Sequence, residues 1–196
     1  MRYDPQRHHR RSIRLTGHDY AQAGPYFVTI CTQDRTCWFG EVADGIMHLN
    51  EAGRVAAAIW SDLPARFPGV ATDAYVVMPN HIHGIIRIDV DAAEEGASNR
   101  APTNDGPNPA GAQSIAPDIA PHDIPTHAPT LGAVVRAFKA VSARTIRQTI
   151  APRFAWQRNF YEHIIRDEES LNCVCQYIAE NPARWLFDRE NPAARA

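Results

Sequence analysis

The sequence predicts a fold that mixes antiparallel strands with amphipathic helices, and three stretches predict it. Tyr26-Phe27-Val28-Thr29-Ile30-Cys31-Thr32 is rich in β-branched and aromatic residues, the composition of a strand. Tyr75 to Ile86 is an apolar run broken by Pro79-Asn80 and resumed by Ile82, Ile85 and Ile86, which reads as two short strands joined by a tight turn. From Leu131 to about Ile150, Leu131, Val134, Val135, Phe138, Ser142, Thr145, Ile146 and Thr149 recur at the 3.6-residue period of a helix.

In chain order, residues 1–20 form an arginine- and histidine-rich basic arm with little periodicity, which includes Arg14. Gly24-Pro25 opens the first strand. Trp38-Phe39-Gly40 and Ile46 to Leu49 flank a turn at Asp44-Gly45. Asn50 is a good N-cap for a helix from Glu51 to about Leu63, and Pro64 and Pro68 close it. Phe154 to Ile165 reads as one or two extended segments. Asp167 caps a last helix that runs to about Asn181 and stops at Pro182, with Leu171, Val174, Cys175 and Ile178 as its apolar stripe.

Composition changes abruptly at residues 91–129, which hold seven of the fifteen prolines and only three large aliphatic residues. Too little apolar surface is available there to offset the entropy of ordering, so the segment reads as a disordered insertion. It carries six acidic residues against Arg100. The remainder therefore holds 19 basic and 16 acidic residues, a mildly basic balance suited to a polyanionic partner. Domain organisation follows: a single domain over 21–90 and 130–188, interrupted by the insertion and followed by a tail at 189–196.

No run approaches the roughly 20 apolar residues of a membrane helix, and the basic start has no apolar core behind it, so the expected location is cytoplasmic, with no membrane partner. Cys31, Cys37, Cys173 and Cys175 lack metal-knuckle spacing and read as reduced thiols.

Chemistry concentrates at His81 and His83. Strand side chains alternate faces, so these imidazoles project together while Ile82, Ile86 and Ile88 point into the core. An isolated His-x-His is more often a pair of solvated histidines than a ligand pair. On the last helix, however, Tyr177 and Asn181 stand one turn apart on the flank of the apolar stripe. Two imidazoles and an amide oxygen suit Mg²⁺ or Mn²⁺, and a phenol beside such an ion is a candidate nucleophile. Arg136, Lys139, Arg144 and Arg147 lie opposite the apolar side of the long helix without an acidic residue among them, a pattern that suits phosphates.

Met78-Pro79-Asn80-His81-Ile82-His83, Leu131 to Lys139, Trp156-Gln157-Arg158 with Glu162 to Arg166, and Tyr177-Ile178-x-x-Asn181-Pro182 together resemble the REP-associated tyrosine transposases, members of the HUH single-strand transposases. The similarity covers most of the chain except 91–129. It implies an α+β fold of the ferredoxin-like or RRM-like kind, an antiparallel sheet with helices packed on one face. It further implies that Tyr177 is the nucleophile and that His81, His83 and Asn181 hold a divalent ion, Mg²⁺ or Mn²⁺. Tyr161 is the rival phenol; Tyr177 is preferred because the family's nucleophile lies on the terminal helix, with the metal-binding amide one turn later. His163 reads as a packed imidazole.

The expected activity is cleavage and rejoining of single-stranded or hairpin DNA, such as palindromic repeats, through a 5′-phosphotyrosine. Arg14, Arg136, Lys139, Arg144, Arg147 and Arg158 would hold phosphates. The chain would act as a monomer or homodimer. Two rivals stand beside this reading: a nucleic-acid-binding protein that keeps the scaffold without catalysis, and a metallophosphodiesterase that uses water in place of Tyr177.

Overall fold

The computed structural model describes residues 23–89 and 129–195. The basic arm with Arg14, and the insertion up to residue 128, lie outside the described residues. Strand β1 (Gly24–Cys31) forms where the β-branched run predicts it. A hairpin of β2 (Gly40–Ala43) and β3 (Ile46–Leu49) turns at Asp44-Gly45, both with positive φ, 52° and 73°. That is the backbone sign that the hairpin turns matching strand twist require, and it suits Asp-Gly. Asn50 then caps α1 (Glu51–Ser61), its side chain accepting from the Gly53 N–H. Pro64 does not close this helix. It sits in the first turn of a short α2 (Leu63–Arg66), where its missing N–H has no partner to lose.

β4 (Val70–Val77) and β5 (His81–Ile88) make the second hairpin. α3 (Leu131–Thr149) is capped by Thr130, and β6 (Tyr161–Ile164) is the single strand within 154–165. α4 (Glu168–Glu180) is capped by Asp167, as its sequence predicts, and a 3₁₀ turn at Pro182–Phe187 follows.

Four strands form one antiparallel sheet in the order β4-β5-β1-β6, with α1 and α3 as its two crossovers, which is the ferredoxin-like arrangement. The alternation read from sequence holds. Tyr26, Val28, Ile30, Ile82, Ile86 and Ile88 face the main core with α1 and α3 residues such as Trp60, Val134 and Phe138. Burying a side chain of this size stabilises the fold by about 1.5–3 kcal/mol. Gly84 makes room for Trp60: a Cβ there would come 2.4 Å from the indole.

The other face carries Phe27 and Ile85, covered by Ile178 with Leu171, Val174 and Cys175 of α4. The α1 and α3 pair thus occupies one face, and the terminal helix crosses the opposite face, the one that bears His81 and His83. The chain beyond residue 188 is no loose tail at its start, because Glu190 and Asn191 are buried. No helix among the described residues is long and apolar enough to cross a membrane.

Candidate active site

β5 is a central strand, and its pairing with β1 places His81 opposite Cys31 and His83 opposite Thr29. Both imidazoles are buried, with ring centroids 4.4 Å apart. Nδ1 of His83 meets Oγ1 of Thr29 at 2.9 Å, and Nδ1 of His81 meets Oδ1 of Asn80 at 2.9 Å. Burial pushes the His81 ring down to about 3, reinforced by the positive charges of Arg189 and Arg35. Burial likewise lowers His83 to about 3, with His81 as a second cause. Both rings are therefore neutral at physiological pH and keep a lone pair for a ligand.

α4 lays its last turn over this pair. The Tyr177 hydroxyl lies 3.2 Å from Nε2 of His83, and the phenol packs edge-on against Phe27. Desolvation, and then the charge of Asp188, hold the phenol above its usual pKa, so it is protonated as it stands. Asn181 is the C-cap of α4 and is buried, with its carboxamide against His81 and Tyr177.

Sequence reasoning missed Asp188. After the 3₁₀ turn the chain folds back, and Oδ2 of Asp188 comes within 3.7 Å of Nε2 of His81. His81, His83 and Asp188 each offer one ligand atom, all within 4.8 Å of one another. Three of the atoms gathered here are buried without a hydrogen-bond partner: Nε2 of His81, Oδ1 of Asn181 and Oδ2 of Asp188. Two are oxygens that only accept. Leaving such groups unsatisfied costs about 1–3 kcal/mol each. A cation supplies what all three lack, so the residues present fit a divalent ion. Among signals in sequence, only an acidic residue seven positions after Asn181 pointed this way, and nothing local says that the chain returns.

The basic residues fall elsewhere. Lys139 donates to the carbonyls of Gln157 and Asn159, both at 2.8 Å, and burial lowers its ammonium to about 8. Arg147 donates to the Phe154 carbonyl. Both therefore anchor the 154–159 segment instead of standing free on an open face. With Arg144, Trp156 and Arg158 they line a groove of about 610 Å³. Arg136 is exposed and outside that groove. All lie with α3, across the sheet from the histidines. Two cations beside the site, Arg184 and Arg189, line a cavity of about 590 Å³ with Tyr177, Asn181, Phe187 and Asp188. Tyr161 is on edge strand β6 opposite Thr29, its ring under the Arg189 guanidinium. His163 is exposed, not packed.

The fold and the site define a class: a ferredoxin-like sheet whose central strand presents a His-x-His pair to a tyrosine and an asparagine on a terminal helix. The chain belongs to the same family as an uncharacterized protein of Haemophilus influenzae, to which it is 36% identical over 190 residues, 96% of each chain. No known family profile matches it. Among solved structures, that of a REP-associated tyrosine transposase bound to a REP hairpin is similar in fold, with a TM-score of 0.51 over 90% of this chain and 77% of that one, at 16% identity.

Proposed function

We propose that this protein is a metal-dependent DNA strand transferase that cleaves and rejoins single-stranded or hairpin DNA through a covalent bond to Tyr177. The observation that carries this reading is the placement of the Tyr177 hydroxyl, 3.2 Å from His83 and beside three unpartnered buried acceptors. His81, His83, Asn181 and Asp188 would hold Mg²⁺ or Mn²⁺, for which a mixed nitrogen and oxygen set is suited. The ion would supply electrophilic polarisation of the scissile phosphate.

The chain's own residues account for the rest. Tyr177 is about 40% exposed, so its hydroxyl meets both the buried cluster and a strand arriving from solvent. Its oxygen bonds to phosphorus, the bond from phosphorus to the 3′-oxygen breaks, the phenol gives its proton to solvent, and the departing 3′-oxygen takes one from solvent to leave as a free 3′-hydroxyl. A later 3′-hydroxyl reverses the exchange and joins strands. Arg184 and Arg189, which line the cavity beside Tyr177, would hold phosphates, and the exposed ring of Phe187 would meet a base. The groove with Lys139, Arg144, Arg147 and Arg158 would hold more distant phosphates without reading sequence. The catalytic domain in this reading is 21–90 with 130–191, and the insertion at 91–129 is an appendage to it.

Incubation with Mn²⁺ and labelled hairpin DNA should yield an adduct that survives denaturation. Tyr177→Phe should abolish it and Tyr161→Phe should leave it. The reverse pattern would overturn the assignment. Cleavage that persists in Tyr177→Phe without an adduct would indicate hydrolysis by water, and DNA binding with no cleavage at all would leave a non-catalytic binding protein.

A further inference from the structure

We propose that Asn80 is the positioning residue of this metal centre: one side chain sets which nitrogen of His81 faces the cluster and also holds the strap that carries Asp188. The inference rests on the metal reading above, and it concerns how this chain builds the site before any ion or DNA arrives.

Asn80 is fully buried in the turn between β4 and β5. Its Nδ2 donates to two backbone carbonyls, those of Arg35 at 2.9 Å and Glu190 at 2.7 Å. Carbonyl oxygens only accept, so the amide has a single possible orientation. Its Oδ1 is thereby turned to Nδ1 of His81, at 2.9 Å. An amide oxygen also only accepts, so Nδ1 must carry the proton of the neutral ring. The lone pair is then on Nε2, the atom that faces Oδ2 of Asp188 at 3.7 Å and has no hydrogen-bond partner. His83 has no such constraint, because its two nitrogens meet the hydroxyls of Thr29 and Tyr177, which can serve either way. One ligand is preset and the other adapts.

The second role uses the same amide. The bond to the Glu190 carbonyl pins the strap two residues beyond Asp188. Glu190 fastens it further through its carboxylate, bound by Nε of Arg35 and approached by the Cys31 thiol at 3.6 Å. The Glu190 N–H donates to Oδ1 of Asp188 at 2.7 Å, which leaves Oδ2 as the oxygen turned to His81. Outer partners of this kind typically change metal affinity by about 10- to 100-fold when removed.

The test combines Mn²⁺ titration of the full chain, followed by electron paramagnetic resonance, with ¹⁵N NMR of the histidines in metal-free protein. Wild type should show His81 protonated on Nδ1. Asn80→Asp keeps an oxygen for that N–H but loses both donors, so the tautomer should persist while Mn²⁺ affinity falls by about tenfold; Asn80→Ala should lose the single tautomer and bind more weakly still. A proton on Nε2 of His81 in wild type would overturn the proposal. So would folded variants that bind Mn²⁺ within about twofold of wild type. Should Asn80→Ala fail to fold, the wild-type tautomer and the Asn80→Asp affinity decide the matter. Neither readout involves DNA: a preset tautomer and tight Mn²⁺ binding without any adduct would overturn the strand-transfer reading alone, and absence of Mn²⁺ binding by wild type would overturn both.

Discussion

The Tyr177 hydroxyl and Nε2 of His83 lie 3.2 Å apart, with Nδ1 of the same ring against Thr29. An ion bound through that nitrogen takes its lone pair, the one the phenol uses whenever its hydroxyl donates there, so phenol and metal compete for one atom. Tyr177→Phe removes the competitor. We expect this variant to bind Mn²⁺ at least as tightly as wild type while forming no covalent DNA adduct, by calorimetry and denaturing gels. Weaker Mn²⁺ binding would mean that the hydroxyl is itself a ligand.

The buried imidazoles make the metal-free protein sensitive to acid. Both have folded pKa values near 3 against about 6.5 for a free ring, so the unfolded chain binds more protons throughout that window. Their contribution is complete above about pH 6.5 and is lost as pH falls toward 3, on the order of a few kcal/mol. Denaturant titrations across this range should show the decline, and His83→Gln should flatten it. Mn²⁺, which requires the neutral rings, should shift it to lower pH.

Asp188→Asn keeps the shape of the side chain and removes its negative charge. The expected result is a loss of Mn²⁺ affinity of at least about tenfold, with little change in melting temperature of the metal-free protein. Equal affinity in the two proteins would remove Asp188 from the ligand set.

Phe187 is 87% exposed, beside a cavity that also holds Arg184, Arg189 and the Tyr177 phenol. A large aromatic left in water next to two guanidiniums suits a stacked nucleobase. Phe187→Ala should weaken single-stranded DNA binding by about 1–3 kcal/mol in fluorescence anisotropy and leave folding unchanged. Undiminished affinity would assign the strand another path.

Gly84 tests the scaffold, not the chemistry. Its missing side chain admits Trp60, whose ring would stand 2.4 Å from a new Cβ. Gly84→Ala should cost about 1–3 kcal/mol in denaturant melts, and a stability equal to wild type would show that the indole can shift.

Much of the site was legible because its pieces are local. His81 and His83 share a face through the two-residue period of a strand, and Tyr177 and Asn181 share one through the four-residue spacing of a helix. Caps at Asn50 and Asp167 were legible for the same reason, since each bond spans three residues. Pro64 reads equally as a helix end or a helix start, because proline both ends one helix and opens the next. Spacing puts the four bases of α3 on one face, yet Lys139 and Arg147 turn to backbone carbonyls of a segment that periodicity cannot see.

Short-range pattern, then, determined the elements, their apolar faces and the two halves of the site, because strand and helix geometry follow from residue spacing alone. Only the folded chain decided that the last helix crosses the histidine face, that Asp188 returns to it, and that Asn80 grips the strap 110 residues away. Those contacts depend on the path of turns and on which buried acceptor finds which donor, and no spacing along the chain encodes that choice.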